Sequence, residues 1–130
     1  MTRLLMTVTA LVLGLLGFAT TFAPDYVLAS LGAPVSPATL LVTQVLGALY
    51  VGFAGLNWMA RENLIGGIYG RPVAIGNLTH FLVASLAMIK VLTRAPELQI
   101  LWPLALVYSA LAASFGFILF RSPVRAPREE

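Results

Sequence analysis

Four uncharged stretches take up most of this sequence: Leu4–Pro24 (21 residues), Tyr26–Ala60 (35), Pro72–Ile89 (18) and Leu98–Phe120 (23). A helix rises about 1.5 Å per residue and bilayer hydrocarbon is about 30 Å thick, so about 20 apolar residues make one crossing. Three of the stretches fit one crossing each. The 35-residue stretch is broken early by Gly32, Pro34 and Pro37, and Ser36-Pro37 is a helix start. The serine hydroxyl can cap the first turn, and proline is tolerated at the first helical position, where its missing N–H would have no partner. The sequence therefore predicts an all-α, polytopic membrane protein. Its four transmembrane helices, over about 4–22, 37–60, 72–93 and 97–120, form an antiparallel bundle. Residues 1–120 make one domain, and 121–130 a short cytoplasmic tail.

Composition points the same way. Of 130 residues, 59% are hydrophobic and 10% charged, against roughly a quarter charged in a soluble domain; mean hydropathy is +0.92. Pro96 and Glu97 suit the first turn of the fourth helix. Pro103 leaves two options, a kink or a true start at Trp102. The first stretch mimics a signal peptide, but proline directly after Ala23 is a poor cleavage context and the run is long enough to span.

The basic residues set the orientation. Arg3, Arg61, Arg71, Arg121, Arg125 and Arg128 fall on one side of a four-crossing chain, and Lys90 and Arg94 on the other. Six against two predicts both termini in the cytoplasm of an inner (plasma) membrane protein. Scattered at segment ends, these charges form no basic face, which excludes a nucleic-acid partner despite the net charge of +3. Trp58 and Trp102 fall near opposite interfaces, as indoles prefer.

Close helix contact in lipid favours small residues four apart. Ala10/Gly14, Ala48/Gly52 and the stripe Ala105/Ser109/Ala113, beside Ala112 and Gly116, are the candidates. They either hold the four helices together or offer a seam for a homodimer or a larger membrane complex.

One polar cluster interrupts the apolar pattern, from Asn57 to His80. Asn57 and Arg61 share a helix face with Tyr50, Ala54 and Gly47. Asn77 and His80 share a face on the next helix, continued by Ala84 and Ala87. His80 lies eight residues in from Pro72, about 12 Å deep. Polar side chains at that depth need partners. Tyr50, Asn57, Arg61, Glu62, Arg71, Asn77 and His80 are therefore the candidate binding residues. Asn57, Asn77 and His80 would aim inward, with Arg61, Glu62 or Arg71 closing the cytoplasmic rim. The cluster is either a site for a small lipophilic ligand or a proton, with His80 the titrating group, or a hydrogen-bonded lock between two helices. Gln44 would bond across helices or line a polar path toward Tyr50 and Asn57. Gly66, Gly67 and Gly70 lack a phosphate-loop pattern and read as positive-φ residues of a tight interfacial turn, with Leu64, Ile65, Ile68 and Tyr69 dipping into the membrane surface.

Much chemistry is excluded. There is no cysteine and one histidine, so thiolate metal sites and two-histidine sites within one chain are ruled out. No catalytic residues and no metal or other cofactor are predicted. No nucleophile–base–orienter set is visible. The acidic residues Asp25, Glu62, Glu97, Glu129 and Glu130 all lie at segment ends or in the tail, which argues against a proton-coupled exporter.

The layout resembles small bacterial DoxX-like four-helix membrane proteins. The shared features are an apolar first helix, an outer segment of the type Ala23-Pro24-Asp25-Tyr26-Val27-Leu28-Ala29-Ser30-Leu31-Gly32, and a helix carrying Gln44-Val45-Leu46-Gly47-Ala48-Leu49-Tyr50-Val51-Gly52. The resemblance implies a four-helix membrane architecture in a redox or respiratory setting and assigns no functional residue. Two functions from different classes follow: an accessory subunit or binder of a small lipophilic molecule at the Asn57–His80 cluster, or a small-solute or proton-linked permease acting as a parallel homodimer.

Overall fold

The computed structural model describes residues 2–62 and 70–121. Among them the chain is all α, with four long helices: α1 (Thr2–Phe22), α3 (Pro37–Ala60), α4 (Gly70–Leu92) and α5 (Trp102–Arg121). Each belongs to a segment long and apolar enough to cross a membrane, which makes this a multi-pass membrane protein. Gly66, Gly67, Leu64, Ile65, Ile68, Tyr69 and the tail beyond Arg121 lie outside the described residues. Two compact units are distinguished, Met6–Arg61 and Met1–Leu5 with Glu62–Glu130.

In the first unit, α3 starts where local chemistry dictates. Thr39 N–H donates to Ser36 Oγ at 3.2 Å, and Ser36 N–H donates to Thr39 Oγ1 at 2.9 Å, with Pro37 in the first turn. This is a reciprocal capping box in which threonine takes the place usually held by glutamate.

The segment between α1 and α3 contains a short helix that apolar run length does not disclose, α2 (Pro24–Ser30). Pro24 opens it, and a Schellman turn closes it: Ala33 N–H donates to Leu28 O (2.9 Å) and Gly32 N–H to Ala29 O (3.0 Å). Gly32 has φ +65°, left-handed backbone that costs other residues roughly 1–2 kcal/mol. It is the one positive-φ residue among those described. Gly70 therefore does not supply a left-handed turn, as the sequence suggested; it opens α4 two residues before Pro72.

Helices α1 and α3 run antiparallel in backbone contact. Gly14 faces Ala54, Gly17 faces Val51, and Thr21 faces Gly47. A Cβ on Gly17 would stand 2.9 Å from Val51 N and 3.1 Å from Gly47 O. A Cβ on Gly47 would stand 2.7 Å from Thr20 Oγ1 and closer still to Thr21 Oγ1. The two hydroxyl oxygens thus occupy the space a side chain would need, and a Gly47 Cα–H points at them. Such C–H···O contacts contribute perhaps 0.5–1 kcal/mol each and recur where helices approach this closely. Ala10/Gly14 lies on this seam, with Ala10 buried, but Ala48/Gly52 does not: both residues are exposed, and a Cβ on Gly52 would meet nothing within 4 Å.

The second unit pairs α4 with α5. Pro103 has no N–H to give Gln99 O, and its ring would crowd that carbonyl. A regular α-helix is kinked or broken at this point. Pro96–Leu101 is accordingly a tighter 3-10 helix, Trp102 N–H donates to Gln99 O, and α5 begins at Trp102. Of the two options that Pro103 left, the structure takes the start at Trp102, with the 3-10 turn completing the fourth span, Pro96–Arg121. The buried face of α5 carries Ala105, Tyr108, Leu111, Ala112, Phe115 and Ile118. Ala113 is exposed, so the small-residue stripe read through Ser109 is not the packing face.

Four hydroxyls of the spans return to their own helices in the same way. Thr20 donates to Leu16 O, Thr43 to Thr39 O, Ser109 to Ala105 O and Ser114 to Ala110 O, all within 2.7–2.8 Å. This removes hydroxyl desolvation without a partner helix.

Candidate functional site

Asparagine inside an apolar run needs a local answer to its desolvation. Asn57 and Asn77 reach the same one. Each is fully buried, at 0% exposure. Asn57 Nδ2 donates to Phe53 O at 2.9 Å, and Asn77 Nδ2 to Val73 O at 2.8 Å. Each amide thus reaches back one turn to a carbonyl of its own helix.

One turn along α4, His80 is half-buried and enters an aromatic cluster shared with α5. Its ring centroid lies 5.6 Å from Tyr108 and 5.1 Å from Phe81. Phe81 meets Tyr108 edge-to-face at 4.9 Å and 86°, and stacks on Phe115 at 6.1 Å and 11°. Edge-to-face rings are a favoured arrangement, worth about 0.5–1.5 kcal/mol beyond their buried area. The result is a wall of phenyl rings carrying two polar heads, an imidazole and a phenol. Each can donate and accept a hydrogen bond.

The same face of α4 continues toward its C-terminus. His80, Ala84, Ala87 and Val91 are spaced four, three and four residues apart, and such positions line up on a helix. Beyond Ala84 this face opens into an apolar groove of about 230 Å³, lined by Ala87, Met88, Val91, Leu92 and Leu101. Ala87 is seven residues from His80, about 10 Å along the axis.

The other predicted site residues are placed as follows. Tyr50 is half-buried on α3. Arg61 ends α3 with its guanidinium 3.7 Å over the Trp58 ring, donating to Trp58 O at 2.9 Å. Glu62 pairs with Arg3 at 3.1 Å, both exposed. Arg71 is exposed in the first turn of α4. Arg61 on its indole has the form of an interfacial anchor.

Sequence reading missed Tyr108 and Thr9. Tyr108 is almost wholly buried against His80. Its signal was its place three residues after Ala105 in a run otherwise rich in small and aliphatic residues. Thr9 is fully buried in α1, and its Oγ1 has no hydrogen-bond partner among the described residues.

Comparison with protein-family models, curated proteins and solved structures gives no match for this chain.

Proposed function

We propose that this protein binds a small lipophilic molecule along α4, its polar end at His80 and Tyr108 and its apolar part in the groove beyond Ala84. The alignment of a polar aromatic cluster and an apolar groove on one helix face carries this reading. An amphiphilic ligand needs both features, in that order, at a spacing it can bridge. His80 is half-buried on the face that continues into the groove, while its Nε2 and the Tyr108 hydroxyl oxygen are buried. The acidic residues outside the tail all sit at segment ends, Glu97 at the start of the fourth span included, which argues for binding over proton-coupled transport.

The arginine distribution supports a cytoplasmic (inner) membrane with both termini inside. The layout it shares with DoxX-like proteins supports an accessory role beside a larger redox or respiratory complex.

Native mass spectrometry of the protein, gently extracted from its host membrane, tests the binding. A copurifying small molecule is expected on the natural chain. It should be lost from His80→Ala and from Ala87→Trp, which fills the groove from an exposed position, while helicity and Tm change little. Retention of the molecule by both variants, or its absence from the natural protein, would contradict the proposal. Copurified larger proteins would identify the complex served.

A further inference from the structure

We infer that two copies of this chain associate side by side in the membrane through the α3 face bearing Gln44, Ala48, Gly52 and Gly55. The inference is independent of what the His80 face binds.

Gln44 carries it. Helix α3 has 24 residues, about 36 Å of length against about 30 Å of hydrocarbon. Gln44 is seven residues past Pro37, so its Cα lies about 7 Å below the outer interface. Its side chain is exposed, and no described residue gives its carboxamide a hydrogen bond. In a bilayer, exposure at this depth means removal from water, so an amide left unpaired there is as unfavourable as one orphaned in a core.

The face around it is built for close approach. Ala48, Gly52 and Gly55 follow Gln44 at helical spacing, and all are exposed. A Cβ at Gly52 or Gly55 would meet nothing within 4 Å. These glycines lower helix propensity without serving any contact among the described residues, unlike Gly17 and Gly47. Their use is an external backbone contact of the kind small residues permit between membrane helices. Of the four spans, α3 is also the least covered, with 11% of its apolar window buried against 22–33% in the others.

The occupant is a second copy of the same chain. A carboxamide is its own complement, with donor and acceptor side by side. The six-to-two charge bias inserts every copy in one orientation. Two parallel copies related by a two-fold axis along the membrane normal place Gln44 opposite Gln44 at equal depth, where two reciprocal N–H···O bonds satisfy both amides.

The test uses the full chain reconstituted in phosphatidylcholine/phosphatidylglycerol vesicles, with subunits counted by single-molecule photobleaching across protein-to-lipid ratios. Dimers are expected. Gln44→Leu should weaken association about three- to thirtyfold, the range for one interhelical polar contact in a membrane. Gly52→Leu should abolish it while leaving Tm near that of the natural chain, since a Cβ there meets nothing within 4 Å among the described residues. Because the natural chain lacks cysteine, single replacements map the seam directly. Ala48→Cys and Gly52→Cys should cross-link, and Leu46→Cys, on the far side of α3, should not. Monomers at every ratio would overturn the inference. So would dimers indifferent to both Gln44→Leu and Gly52→Leu, or cross-linking as efficient at Leu46→Cys.

Discussion

Gly47→Leu is expected to detach α1 from α3. Even the first added carbon would sit 2.7 Å from Thr20 Oγ1 and 2.9 Å from the backbone nitrogen of Thr21. A hydroxyl can rotate away, but a backbone nitrogen moves only with its helix. The helices must therefore separate, breaking the neighbouring Gly17–Val51 contact and the C–H···O contacts at Gly47 together. Overpacking in a well-fitted core costs typically 1–3 kcal/mol and occasionally more, and a forced separation of backbones belongs at the upper end. Thermal unfolding in detergent should show a Tm lower by about 10 °C, with faster proteolysis. Gly52→Leu is the matched control. It makes the same chemical change in the same helix at a position with open space, and its Tm should stay near that of the natural protein. Equal losses from both variants would show that the cost does not come from the contact at Gly47, since leucine raises helix propensity at both positions.

Phe81→Ala is expected to loosen α4 from α5. Phe81 is a ring that touches His80, Tyr108 and Phe115 together. Phe81, Tyr108 and Phe115 are all at or below 1% exposure. In water, truncating such a ring costs about 3–5 kcal/mol through lost transfer energy and the cavity left behind. Lipid is as apolar as the core, so the transfer part largely falls away and the cavity and dispersion parts remain. The expected loss is therefore about 3 kcal/mol, at the lower end of that range. Near-ultraviolet circular dichroism should lose its aromatic signal before helicity falls. Phe81→Leu should recover roughly half of the stability, because it refills the cavity without restoring the edge-to-face contact. An unchanged Tm in Phe81→Ala would show that the cluster holds nothing together.

Apolar run length and local cap chemistry were enough to place the helices. Ser36-Pro37 could be read as the start of α3 because a hydroxyl followed by proline favours a helix start in any context. Trp102 could be read as a possible start of α5 because Pro103 forbids the preceding turn. Asn57, Asn77 and His80 stood out for being polar in apolar runs. What could not be read was which face of each helix meets protein. In soluble proteins the apolar stripe gives that away; here lipid and core are equally apolar, so the stripe is lost. Small residues four apart then occur on every side, and Ala48/Gly52 could not be told from the true crossing at Gly17 and Gly47. Tyr108 was hidden for the same reason: an aromatic residue on a helix apolar all round carries no directional signal. Helix α2 was missed because seven residues are too few for periodicity to register.

The account rests on four crossings with both termini on one side, and the cysteine-free chain allows a direct test. Single cysteines placed at Thr2, Glu62 and Arg121, and separately at Ala33 and Ala95, would be treated in oriented membrane vesicles with a membrane-impermeant maleimide. The account predicts that the first three label only from the cytoplasmic face and the other two only from the opposite face. Labelling of Thr2→Cys and Ala33→Cys from the same face would remove the first crossing, and with it the topology on which every depth and orientation given above depends.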